Sequence, residues 1–145
     1  MKTKSKSNKE KRILFVCRYN RFRSRIAEAY FKKINKNKNI EVKSAGLIQG
    51  SPLNPKTNAI IKELGLNISG KPQGLSSKLM AWQNITVNVA DDVPKQVFDR
   101  NIKYRKKVIN WKIKDVTSVN KKQIIKVANL VIKKTDSFAK SIGAN

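Results

Sequence analysis

The apolar run Ile13-Leu14-Phe15-Val16 ends on Cys17, the only cysteine of the chain, and a helical stripe begins at Ile26. The run is continuous rather than alternating and rich in β-formers, the pattern of a strand buried on both faces of a parallel sheet. Ile26, Tyr30 and Ile34 recur every four residues beside Ala27 and Phe31, the stripe of an amphipathic helix. Strand, loop and helix in this order put Cys17 at the joint.

The same alternation continues along the chain. Residues 40–46 (IEVKSAG) read as a second strand that stops at Gly46, before a loop with Gly50 and Pro52. Asn54 and Pro55 read as an N-cap and the first helical residue, with Ala59, Ile60 and Leu64 as the apolar face and Gly65 as the stop. Residues 76–82 fit a short helix, 85–90 a third strand and 107–111 a fourth. From about Val119, the positions Ile124, Ala128, Val131, Thr135, Phe138 and Ile142 trace a long terminal helix. The expectation is an α/β three-layer sandwich around a central four-stranded parallel sheet. The 145 residues suffice for one domain with a real core, expected over 12–145 after a disordered basic tail over 1–11.

Charge and composition narrow the chemistry. Lys and Arg number 33 against 9 Asp and Glu, a formal net charge of +24, which attracts polyanions through phosphate contacts and counterion release. Much of that charge is Lys mixed with Asn, as in KKINKNKNIEVK, without stacking aromatics, so a compositional bias and non-specific nucleic-acid binding are both open readings. One cysteine forbids an internal disulfide, and the absence of His removes an imidazole base, a Ser-His-Asp triad and His-containing zinc sites. The first residues, MKTKSKSNKEK, lack the apolar stretch of a signal peptide, and no apolar run approaches the roughly 20 residues of a membrane span. A cytoplasmic, soluble protein with no membrane partner is expected.

The joint between first strand and first helix is where open α/β sheets bind ligands, because helix N-terminal N–H groups point there. Cys17 to Arg23 has the spacing Cys-x5-Arg, followed by Ser24. One tight loop of that length can wrap an oxyanion and bring the guanidinium back over two of its oxygens. A thiol against a helix N-terminus and cationic side chains is favoured as thiolate, and Ser24 can donate a hydrogen bond to it. A lone buried cysteine can equally be an inert small hydrophobe.

The stretch ILFVCRYNRFRSRIAEA resembles the signature of the low-molecular-weight protein tyrosine phosphatase family, to which related arsenate reductases also belong. The resemblance continues through SAG at 44–46, LGLNISG at 64–70 and VINWKIKD at 108–115. It implies a phosphate-binding loop between first strand and first helix, formed by Arg18, Tyr19, Asn20, Arg21, Phe22, Arg23 and Ser24. It also implies Cys17 as nucleophile, Arg23 as phosphate clamp, Ser24 as thiolate partner and Asn20 as a loop-tying residue in an unusual backbone conformation. Asp115 matches the family's general acid, with Val116 where a Pro usually follows; the pair Asp91 and Asp92 competes, although a polar loop before Pro94 is the plainer reading.

Further departures concern substrate and redox behaviour. Phe22 stands where many members have a second cysteine, so no disulfide can shield Cys17 and the thiol is expected to be peroxide-sensitive. The loops LIQGSPLNP and VTSVN lack the aromatics of tyrosine-directed members, leaving Tyr19 and Phe22 as partial substitutes or packing residues. Arg18 and Arg21 either add charge at the mouth or are simply solvated.

The resemblance implies a cysteine-dependent phosphatase acting on phosphate monoesters, protein phosphotyrosine foremost, through a phosphocysteine intermediate and without metal or cofactor. Its partner would be a phosphorylated protein or a small phosphate ester. Arsenate reduction with an external thiol, and a catalytically idle polyanion- or RNA-binding domain, are the alternatives.

Overall fold

The computed structural model describes residues 10–68 and 70–145. Its frame is a sheet of four parallel strands, β1 (Lys11–Cys17), β2 (Ile40–Gly46), β3 (Ile85–Ala90) and β4 (Lys107–Ile113), in the order β2-β1-β3-β4. Parallel neighbours require crossovers, and five α-helices supply or flank them. They are α1 (Arg23–Ile34), α2 (Pro55–Glu63), α3 (Ser77–Trp82), α4 (Asp99–Lys103) and α5 (Lys121–Ser141), with a 3-10 turn over Lys95–Phe98 before α4. Residues 1–9, most of the expected tail, lie outside the described residues; Lys11, assigned to that tail from sequence, is instead the first residue of β1.

The strand alternation sorts the core into two layers. Ile13 and Phe15 point to the side covered by α1, α2 and α5, whereas Leu14 and Val16 pack with Leu79 of α3, Val93 and Phe98. All four are fully buried, which accounts for the unbroken apolar run. Phe15 is the hub of the larger layer: its ring centroid lies 6.0 Å from those of Phe31 and Trp111 and 6.2 Å from that of Phe138. Helix and sheet are thus locked through aromatic contacts made in tilted and edge-on geometry.

Local chemistry sets the helix ends. The Asn54 side chain accepts from the Lys56 N–H with Pro55 at the first position, Ser76 accepts from Leu79 N–H, and Asn120 from Gln123 N–H. Gly65, at φ 81°, turns the chain after α2. Two expectations need correction. Ala59 is exposed, and the buried face of α2 is Thr57, Ile60 and Ile61, because the stripe is rotated toward Ile61. β4 runs two residues past Trp111, to Ile113, and this extension carries the chain to the site.

Candidate active site

The C-terminal ends of β1, β3 and β4 bring three loops together: the one after Cys17, the one holding Asp91 and Asp92, and the one holding Asp115. The first is strapped along its outer side. Leu47, Ile48 and Gly50 donate their N–H groups to the carbonyls of Cys17, Arg18 and Tyr19 at 2.9, 3.0 and 3.0 Å. The straps need glycine: a Cβ at Gly46 would sit 2.5 Å from Ile48 O and 2.7 Å from Asn20 N, and one at Gly50 2.7 Å from Tyr19 O. With its carbonyls held outward, the loop runs into α1, whose N-cap Phe22 offers no side-chain acceptor and whose first turn has no acid. The N–H groups of that first turn, which have no partner inside the helix, and the helix dipole are left for an anion.

Beneath the loop lies a directed hydrogen-bond network. Asn20 is buried and in the left-handed region at φ 55°, a conformation Asn tolerates better than most residues. Its Oδ1 accepts from the Gln73 backbone N–H at 2.9 Å, and this fixes which way the amide faces. Nδ2 therefore donates to Ser24 Oγ at 2.8 Å and to Ser44 Oγ at 2.9 Å. Ser44 passes its own hydrogen to Glu28 Oε1, because a carboxylate only accepts. Ser24 Oγ, already accepting from Asn20, has its hydrogen free for Cys17 Sγ at 2.9 Å.

Arg23 enters the site buried, at 1% exposure. Its guanidinium donates to Ile113 O at 2.8 Å and to Asp92 Oδ1 at 3.0 Å, with Asp91 Oδ1 and Asp115 Oδ2 each 3.6 Å away. A buried cation requires such pairing. Asp91 and Asp92 thus lie in a polar loop before Pro94, and both also stand on Arg23. Asp115 also accepts from the N–H of Val116 at 2.8 Å, a donor that a Pro at 116 would not have.

One pocket of about 230 Å³ is lined by Cys17, Arg23 and Asp115, with Tyr19, Arg21 and Phe22 from the loop. Leu53, Thr57, Val116 and Val119 form other parts of its wall. Asp91 and Asp92 do not line it. Phe22 is nearly buried and joins the core, whereas Tyr19 is 38% exposed at the pocket. Arg18 lies outside the lining, its guanidinium donating to Asp92 O and to the Tyr19 phenolic Oη at 3.2 and 3.1 Å. Arg21 donates to the carbonyls of Ser51 and Pro52 at 2.9 and 3.2 Å.

Residues 12–142 match the low molecular weight phosphotyrosine protein phosphatase family. The chain belongs to that family. Among solved structures of the same fold are the YwlE arginine phosphatase from Geobacillus stearothermophilus, at 19% identity and TM-score 0.79 over 92% of this chain and 93% of that one, and the low molecular weight protein tyrosine phosphatase from T. tengcongensis, at 22% identity and TM-score 0.78 over 91% and 99%. A stretch of 61 residues, 42% of this chain, is 39% identical to the glutaredoxin arsenate reductase of Synechocystis sp., and spans 45% of that relative. As a family member the chain has an enzyme's fold, and its described residues include no helix long and apolar enough to cross a membrane.

Glu28, Ser44, Gln73 and the wall residues Leu53 and Thr57 were not singled out from sequence. SAG, which contains Ser44, and the Glu of RIAEA were visible signals; nothing marked Gln73, which lies 53 positions from its partner Asn20.

Proposed function

We propose that this chain is a cysteine-dependent phosphatase hydrolysing phosphate monoesters, protein phosphotyrosine foremost, through a phosphocysteine intermediate. The observation that carries the reading is the convergence of Cys17 and Arg23, from the loop after β1, and Asp115, from the loop after β4, on one pocket. The Cys17 thiolate attacks phosphorus, the phosphorus–oxygen bond to the leaving group breaks, and Asp115 gives that oxygen its proton. Water then attacks phosphorus, Asp115 takes a proton from it, and the thiolate departs with its electron pair. The α1 N-terminus and Arg23 hold the phosphoryl oxygens, with Asn20 and Ser24 supporting the loop from below. Arg23 exchanges its hold on neighbouring acceptors for the anion as substrate arrives.

Hydrolysis of p-nitrophenyl phosphate with EDTA present, by the wild type, Cys17→Ser and Asp115→Asn, tests this reading. Turnover should vanish in the first variant and fall strongly in the second. No turnover by freshly reduced wild type would sink it.

The 61-residue likeness to an arsenate reductase supports a second reading on the same residues. The Cys17 thiolate would attack arsenate and displace an oxygen as water. An external thiol would then attack the Cys17 sulfur, forming a mixed disulfide and expelling arsenite, and a second external thiol would restore Cys17. The two external thiols supply the two electrons. Thiol-dependent arsenite release measures this directly, and its absence with both glutathione and glutaredoxin rejects it.

A further inference from the structure

The chain carries a second concave, charged surface at the other end of the sheet. A groove of about 470 Å³ between α3 and α4 is lined by Ser77, Met80, Arg100, Asn101, Tyr104 and Lys106. It shares no residue with the Cys17 pocket. The chain passes from this groove into the first residue of β4, Lys107, whereas Asp115 follows that strand's opposite end.

Two features of the groove are unusual for an ordinary surface. Tyr104 is 60% exposed, so a large ring stands clear of the core, with the Lys103 ammonium 5.7 Å from its centroid. Across 100–107, RNIKYRKK, five of eight positions are Lys or Arg and none is acidic. Lys106 donates to the carbonyls of Met80 and Ala81, each at 3.1 Å, tying α3 to the turn after α4. Burial and the neighbouring Arg12 charge push Lys106 below the usual lysine range, which places the start of β1 in the same positive field.

An accessible ring bordered by cations at short intervals is what sequence-tolerant readers of single strands use: bases stack on the ring while the cations track phosphates. A membrane would be met by apolar side chains on a convex crest; here the ring borders a cleft furnished with Ser77, Arg100 and Asn101. Ile102, 71% exposed, is one aliphatic among five cations. We propose that this groove binds single-stranded RNA, with a base stacked on Tyr104 and flanking phosphates on Arg100, Lys103 and Arg105. The inference is independent of the reaction assigned to Cys17.

The test is fluorescence anisotropy of the full chain with a labelled oligouridylate of roughly 12 nucleotides, within the usual single-strand site sizes, across a salt series. Tyr104→Ala should weaken binding about tenfold while Tyr104→Phe, which keeps the ring face, binds as wild type. Arg100→Ser and Lys103→Ser should each lower the slope of log affinity against log salt by about 0.7. All three positions are exposed, so thermal midpoints should match the wild type and separate lost binding from lost folding. Wild-type affinity in Tyr104→Ala would overturn the proposal. So would a loss of binding confined to a chain lacking residues 1–9, or tighter Tyr104-dependent binding to phosphatidylcholine–phosphatidylserine vesicles than to the RNA.

Discussion

Ser24 Oγ lies 2.9 Å from Cys17 Sγ and 2.8 Å from Asn20 Nδ2. Because Asn20 faces it with a donor, Ser24 accepts from Asn20 and keeps its own hydrogen for Cys17, which as a thiolate can only accept. Ser24→Ala removes that donor, and a hydrogen bond to a charged group contributes about 1.5–3 kcal/mol. Turnover of p-nitrophenyl phosphate should fall roughly 10- to 100-fold, and iodoacetate should alkylate Cys17 more slowly at neutral pH. Wild-type rates in both assays would remove Ser24 from the proposed mechanism.

Gly46→Ala should damage the site without touching a ligand. The added Cβ meets the backbone atoms Ile48 O, Tyr19 C and Asn20 N at 2.5–2.7 Å, and none of these is a flexible side-chain end. The loop carbonyl straps must shift, so turnover should drop at least about tenfold, since misplacement by about 1 Å costs on the order of 100-fold. Steady-state kinetics alongside a thermal melt checks this; a fully active, equally stable variant would contradict it.

The Val116 N–H holds Asp115 Oδ1 at 2.8 Å, so this carboxyl oxygen is tied to its own backbone rather than free to turn toward a leaving group. Val116→Pro removes the donor. Since one hydrogen bond contributes about 0.5–1.5 kcal/mol, the rate with poor leaving groups, such as alkyl phosphates, should rise by up to roughly tenfold. Activated aryl phosphates, which need less protonation, should change little. Comparing the two substrate series shows whether the bond matters; an equal effect on both would show that it does not act through the acid.

Phe15 joins the sheet to α1 and α5 through Phe31 and Phe138. Phe15→Ala leaves a cavity where those rings meet, and such truncations cost about 3–5 kcal/mol. Urea unfolding should show a lower midpoint; a loss below about 1 kcal/mol would mean that the neighbouring rings collapse into the space.

Tyr30 of α1 donates to Asp136 of α5 at 2.9 Å, and Lys140 pairs with the same carboxylate at 3.0 Å. Hydrogen bonds from Lys140 and Tyr30 hold Asp136 below the usual carboxylate range, against a smaller opposing effect of burial. A depressed folded-state value means that this stabilisation is complete above the unfolded value, about pH 3.9, and is lost as pH falls through the folded one. Asp136→Asn should therefore flatten the acid limb of the stability curve below about pH 4. An unchanged limb, measured by urea unfolding across pH, would contradict the assignment.

The strands and the Cys17 loop were legible because their signals are local: an unbroken apolar run, a four-residue stripe, a capping Asn before Pro. The turn over Lys95–Phe98 and α4 were not. In VPKQVFDRNIKY the buried residues are few, with Phe98 and Asn101 inside but Ile102 outside, so no amphipathic period forms. Ala59 misled for a related reason, since a small residue fits either face of a helix. The site divided along the same line. Cys17, Asn20, Arg23 and Ser24 share one short segment, and Asp115 was reached only through a resemblance. The part of Asp91 and Asp92 in pairing Arg23 depends on contacts across the sheet ends, which no local pattern records.

The Arg23 guanidinium meets Ile113 O across 90 positions of chain. During synthesis, therefore, the residues of the Cys17 loop are made long before the segment that completes their surroundings. A nascent chain ending before β4 has the loop sequence but neither Asp115 nor the α5 cover over Phe15. Any use of the Cys17 loop that depends on Asp115 therefore waits until β4 and the segment after it have been made.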